Sequence, residues 1–141
     1  MGEKNYISTV AALLADAVYR QDRLEDAERY AAESAEVAAH DDVTSQALWR
    51  TVRAKVAARG GSVEEARRLA TEAVELARTS EDPDLLTRAL IAAAEVSGST
   101  ARAEEAWAAL DEALEIVRAK GNVAAERQIL AQRESNKRVP S

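Results

Sequence analysis

Apolar residues recur along this chain at spacings of three and four, in stretches separated by short polar segments. That period gathers them on one face of an α-helix. The stretch Ala66, Leu69, Ala70, Ala73, Leu76, Ala77 is the clearest case, with Glu64, Arg67, Arg68 and Glu75 on the remaining circumference. Extended along the chain, the pattern predicts seven helices, over 5–20, 24–39, 43–59, 63–79, 83–97, 101–119 and 122–134. The punctuation agrees. Gly60, Gly61, Gly98 and Gly121 are each expected at a helix end. Asp22 with Glu25, and Ser62 with Glu65, have the spacing of capping boxes. Asp82-Pro83 offers a cap followed by proline at the first helical position.

The pattern repeats. Leu24-Glu25-Asp26-Ala27, Val63-Glu64-Glu65-Ala66 and Ala103-Glu104-Glu105-Ala106 align without gaps, and their alanines stand 39 and 40 residues apart. A second small residue follows seven positions later, at Ser34, Ala73 and Ala113, and a third precedes by twelve, at Ala15, Ala54 and Ala94. Small residues in fixed columns mark where helices cross most closely, since larger side chains would hold the backbones apart. The expected architecture is therefore all-α, one domain over 1–141. It comprises three helix-turn-helix repeats (5–39, 43–79 and 83–119), a capping helix at 122–134 and a frayed tail at 135–141.

With these columns, the Gly61-Ser62-Val63-Glu64-Glu65-Ala66 turn and the closing helix, the chain resembles the tetratricopeptide repeat family over residues 8–134. The resemblance implies a right-handed superhelical stack that binds protein segments on a concave face lined by first helices. The period is longer than the usual 34 or so, and the large aromatics of first helices are mostly absent. In its longer period and alanine-rich hairpins the chain is similar to the repeats of large bacterial regulators of the maltose-activator type. Ser45-Gln46-Ala47-Leu48-Trp49-Arg50-Thr51-Val52-Arg53-Ala54-Lys55 is similar to the repeat region of actinobacterial ATPase and nucleotide-cyclase proteins, whose catalytic motifs are not in this chain.

Composition narrows the function. There is no cysteine, which removes disulfides, thiol nucleophiles and thiolate metal sites. The net charge of −6 argues against general nucleic-acid binding, which needs clustered cations. No apolar run reaches the length of a membrane span, and the N-terminus leads straight into an amphipathic helix rather than a signal peptide. The expected location is cytoplasmic.

The candidates for chemistry are few. His40 is the single histidine, expected to interact with the last carbonyls of its helix rather than to ligate a metal. Glu25-Asp26, Glu64-Glu65 and Glu104-Glu105 each open a second helix, where negative charge complements the helix dipole. Gly60-Gly61-Ser62 lacks the rest of a phosphate-binding loop. No enzymatic activity and no cofactor is expected. Trp107 is expected to fill an inter-repeat gap, whereas Trp49 heads a cationic stretch, Arg50, Arg53, Lys55 and Arg59. These cations either pair with acidic residues of neighbouring helices or form a strip that receives an acidic segment.

Carried over from the resemblance, the groove positions are Thr9, Ala12, Asp16, Tyr19 and Arg20 in the first repeat, and Leu48, Thr51, Lys55, Ala58 and Arg59 in the second. The third repeat supplies Arg88, Ile91 and Glu95. Asp16 and Lys55 stand where the family's carboxylate clamp has Asn. The expectation is a scaffold for a protein or peptide partner, acidic in character, with no nucleic acid and no membrane, as a regulatory part of a larger signalling protein. The alternatives are a homodimerising module and a sensor of peptides or small ligands.

Overall fold

A computed structural model of the chain describes residues 2–99 and 102–137, with side chains described for 7–99 and 102–135. The described residues are all-α, in seven helices: α1 (Gly2–Arg20), α2 (Leu24–Val37), α3 (Val43–Arg59), α4 (Val63–Arg78), α5 (Pro83–Ser99), α6 (Ala103–Lys120) and α7 (Val123–Lys137). Within each predicted repeat the two helices form a hairpin, α1 with α2, α3 with α4 and α5 with α6. The first helices α1, α3 and α5 pack side by side, and each second helix also packs on the first helix that follows it.

The small residues explain why the helices approach so closely. All nine column residues, Ala15, Ala54, Ala94, Ala27, Ala66, Ala106, Ser34, Ala73 and Ala113, have no accessible surface. Eight are methyl-sized and need no polar partner. The ninth, Ser34, is sealed in with a hydroxyl that must be satisfied, and it donates to the backbone carbonyl of Ser8 at 2.8 Å. Around it lies a buried polar seam between α1 and α3. Ser8 and Thr9 each lie 2.8 Å, hydroxyl to hydroxyl, from Ser45, and Asp42 accepts from the Ser45 amide at 3.2 Å, capping α3. The seam at the third hairpin is apolar instead, built from Leu90, Leu110, Leu114, Val117 and Ile129.

Each tight turn ends its helix with a bond from an amide back to the carbonyl five residues earlier: Arg23 to Val18, Ser62 to Ala57, Arg102 to Ser97 and Asn122 to Val117. This Schellman closure needs a left-handed residue, supplied by Asp22 (φ 62°), Gly61 (φ 86°) and Gly121 (φ 73°). Asp22 is thus the residue that breaks α1, not the predicted cap of α2. That position falls to Arg23, which makes no side-chain capping bond, and Ser62 makes none at α4. The closures satisfy the terminal carbonyls, and Glu25-Asp26 and Glu64-Glu65 still complement the dipoles of α2 and α4. Gly98, expected at a helix end, lies inside the last turn of α5. Asp82 does cap α5, accepting from the Asp84 amide at 3.0 Å with Pro83 at the first helical position.

His40 lies beyond α2, which ends where Ala38 turns extended. The Ala39 carbonyl, in the connection beyond the helix, accepts from the Gln46 side chain at 3.0 Å. The predicted tail is helical through Lys137, and 138–141 lie outside the described residues. Along α1, Ile7, Val10 and Leu14 are exposed at helical spacing. The equivalent face of α3 and of α5 is covered by the preceding second helix. Among the described residues no helix is long and apolar enough to cross a membrane.

Candidate functional site

The side-by-side first helices leave a cleft of about 300 Å³, closed at one end by α7. Eight of the residues expected at a groove line it: Ala12, Asp16, Arg20, Leu48, Thr51, Lys55, Arg88 and Ile91. Its organising group is the Asp16 carboxylate, 16% exposed. Lys55, 12% exposed, donates to it at 2.8 Å, Arg20 lies at 3.1 Å and Arg88 at 4.0 Å. Burial works to raise the Asp16 pKa, but the Lys55 ammonium, then Arg20 and Arg88, outweigh it and hold the carboxyl below its usual value. Lys55 is consumed by this pair. Arg20 and Arg88 are not: their side chains remain 65% and 50% exposed at the mouth. With Asp84 the lining carries three cations against two carboxylates, a local reversal of sign in a chain of net charge −6.

Leu48 and Thr51 form the floor. Thr51 is buried and returns its hydroxyl to the Leu48 carbonyl at 2.7 Å, so it contributes a methyl rather than a free donor.

Five expected groove residues stand outside the cleft. Thr9 is used in the polar seam with Ser45. Tyr19, Glu95 and Arg59 form an adjoining cluster, in which the Tyr19 hydroxyl donates to the Glu95 carboxylate. Lys55 and Arg59 lie 4.7 and 5.7 Å from the Tyr19 ring centroid. Burial, reinforced by the Glu95 carboxylate, raises the phenol pKa and keeps it protonated. Ala58 is outside the cleft too, turned to the opposite side of α3 where it packs on the Ala66 and Ala70 cluster.

The cationic stretch of α3 does not form one strip. Lys55 and Arg59 face α1, pairing with Asp16 and with Asp22 at 3.0 Å. Arg50 and Arg53 turn the other way, to Glu72 of α4 at 3.2 Å and Glu28 of α2 at 2.8 Å. Between those two guanidiniums Trp49 is half-buried, its indole N–H donating to Gln46 at 3.1 Å. Trp107 packs on the apolar core of the third hairpin.

Sequence reasoning missed Asn122, Ala125 and Gln128 of the closing segment, which line the cleft at its far end. The signal was present: Leu48 and Arg88 are 40 residues apart, and 40 further on is Gln128. Treating α7 as a cap, rather than as one more first helix, hid it. Among the described residues no group of three or more His, Asp or Glu side chains is arranged to hold a metal. No family model matches the chain, and no curated protein or solved structure matches it either.

Proposed function

We propose that the chain is a non-catalytic, tetratricopeptide-like interaction scaffold that docks an acidic segment of a partner protein in the first-helix cleft. The observation that carries this reading is the pair of exposed guanidiniums, Arg20 and Arg88, flanking a carboxylate already neutralised by the largely covered Lys55. Arginine forks suit carboxylates, and arginine is over-represented among interface hot spots. The floor of Leu48, Thr51 and Ile91 gives an apolar bed for the side chains between them.

The test is fluorescence anisotropy with a labelled glutamate-rich peptide. The Arg20→Glu, Arg88→Glu double variant is expected to bind roughly tenfold or more weakly, while Arg118→Glu, away from the cleft, binds as wild type. Equal binding by wild type and double variant sinks the assignment.

A second reading, self-association, is favoured by the exposed stripe Ile7, Val10 and Leu14 on α1. Sedimentation across a concentration series tests it, and a monomer throughout removes it.

A further inference from the structure

On the side opposite the cleft, the two furrows between successive second helices are built from equivalent positions yet differ in what fills them. In the first furrow, between α2 and α4, both flanking helices present a glutamate, Glu28 and Glu72, and the floor helix α3 answers with Arg53 and Arg50. The two guanidiniums lie 5.8 and 4.3 Å from the Trp49 ring centroid, so an aromatic ring with stacked cations occupies that furrow.

One repeat later, α4 presents Arg67 where α2 has Glu28, while α6 keeps an acid, Glu112, where α4 has Glu72. The flanking helices now bridge each other directly, Arg67 to Glu105 at 3.7 Å and Arg78 to Glu112 through two bonds of 2.6 and 2.7 Å. The floor cations are no longer needed, and Leu90 and Ala93 stand where Arg50 and Arg53 stand in the first furrow. A trough of about 400 Å³ is left, walled by Val74, Ala93, Val96 and Ala109. That volume lies within the range of small-ligand clefts.

We infer that this α4–α6 trough is a second docking site, which takes an aromatic side chain of a partner segment flanked by a basic residue. The first furrow shows that such a frame accommodates stacked ring and cation. Walls of alanine and valine suit a flat ring, and an aromatic anchored in an apolar pocket is a common interface hot spot. The flanking cation is called for by the rim. Glu75, Glu105 and Glu112 outnumber Arg67 and Arg78, and Glu75 is exposed with no ion pair among the described residues. The site differs from the cleft in both face and sign, so the two readings stand or fall separately.

The experiment is an amide-shift titration of the whole chain with acetyl-Trp-Arg-amide. Saturable shifts are expected at Val74, Ala93 and Ala109, with acetyl-Trp-Glu-amide binding several-fold more weakly. Ala93→Arg, which restores the residue of the first furrow, is expected to abolish the shifts with the thermal transition retained. Glu75→Gln, on the surface and neutral to folding, is expected to remove the preference for Trp-Arg over Trp-Glu. The inference is overturned if no saturable shift arises up to about 1 mM peptide, or if the shifts map to the first-helix cleft. It is overturned equally if neither variant alters them.

Discussion

Replacing alanine by leucine at two sites in this fold is expected to change stability in opposite directions. Ala54 sits in a column with no accessible surface, packed with Ala66, Leu69, Ala70 and Val96. Ala93 lies one position before the equivalent column residue, Ala94, and lines the α4–α6 trough. Helix propensity hardly separates the two residue types, so it contributes a few tenths of a kcal/mol at both sites. Three added carbons that found room would contribute about 0.8 kcal/mol each, roughly 2 kcal/mol in favour of folding. At Ala93 the trough offers part of that room, and Ala93→Leu is expected to stabilise by about 1 kcal/mol. At Ala54 there is none. The side chain must push α3 from α4 or leave its rotamer wells, at a cost of about 1–3 kcal/mol for overpacking. Urea unfolding at 25 °C measures both, and comparison of slopes checks that the mutants unfold over the same surface. If Ala54→Leu is neutral or stabilising, the columns are not close-packing constraints. If Ala93→Leu is destabilising by as much as Ala54→Leu, the trough is not an open volume.

Three further outcomes follow from local features. Gly61→Ala is expected to cost about 1–2 kcal/mol, because φ is 86° and no neighbour lies within 4 Å of a new Cβ, which makes the cost purely conformational. Gly60→Ala, one residue earlier with ordinary contacts and negative φ, is expected to stabilise by about 0.4–1 kcal/mol in the same urea assay. The depressed pKa of Asp16 means that its contribution is present above its unfolded pKa of about 4 and is lost as pH falls through the lower folded value. Asp16→Asn should therefore cost about 1–2 kcal/mol at pH 7, leaving Lys55 uncompensated, and much less at about pH 2; an equal loss at both would refute the linkage. Arg78→Ala removes a bidentate bridge whose guanidinium is half-exposed, so its effect is expected to be at most about 0.5 kcal/mol and to vanish in 1 M salt. A loss unchanged by salt would mean that Arg78 acts through packing.

The helices and their pairing were legible because two independent signals, apolar period and small-residue columns, point to the same register. The misread positions are those where one residue type serves two backbone roles. Asp22 precedes Glu25 at capping-box spacing, yet aspartate also tolerates the left-handed region, and the turn used that property. Gly98 reads as a stop, but a glycine in a last turn costs only about 1 kcal/mol and the packing of α5 carries the helix past it. At the site, the spacing of Arg50 and Arg53 against Lys55 and Arg59 separates two faces of α3 without saying which one meets α1. That depends on where α2 and α4 pack. The α4–α6 trough was within reach of the same register, since Arg50 and Arg53 align with Leu90 and Ala93. It went unseen because missing volume has no residue to mark it.

The contrast between the seams of the stack reaches beyond geometry, to heat capacity. Removing apolar surface from water lowers heat capacity and removing polar surface raises it. Separating α1 from α3, joined in part through Ser8, Thr9 and Ser45, therefore carries a smaller heat-capacity change per unit area than opening the leucine-lined third hairpin. In an array held together by nearest-neighbour contacts, cooperativity fails first at the seam weakest under the prevailing conditions. Cooling weakens the apolar seam more than the hydroxyl seam, so the share of the stack's cohesion carried by the hydroxyls grows as temperature falls.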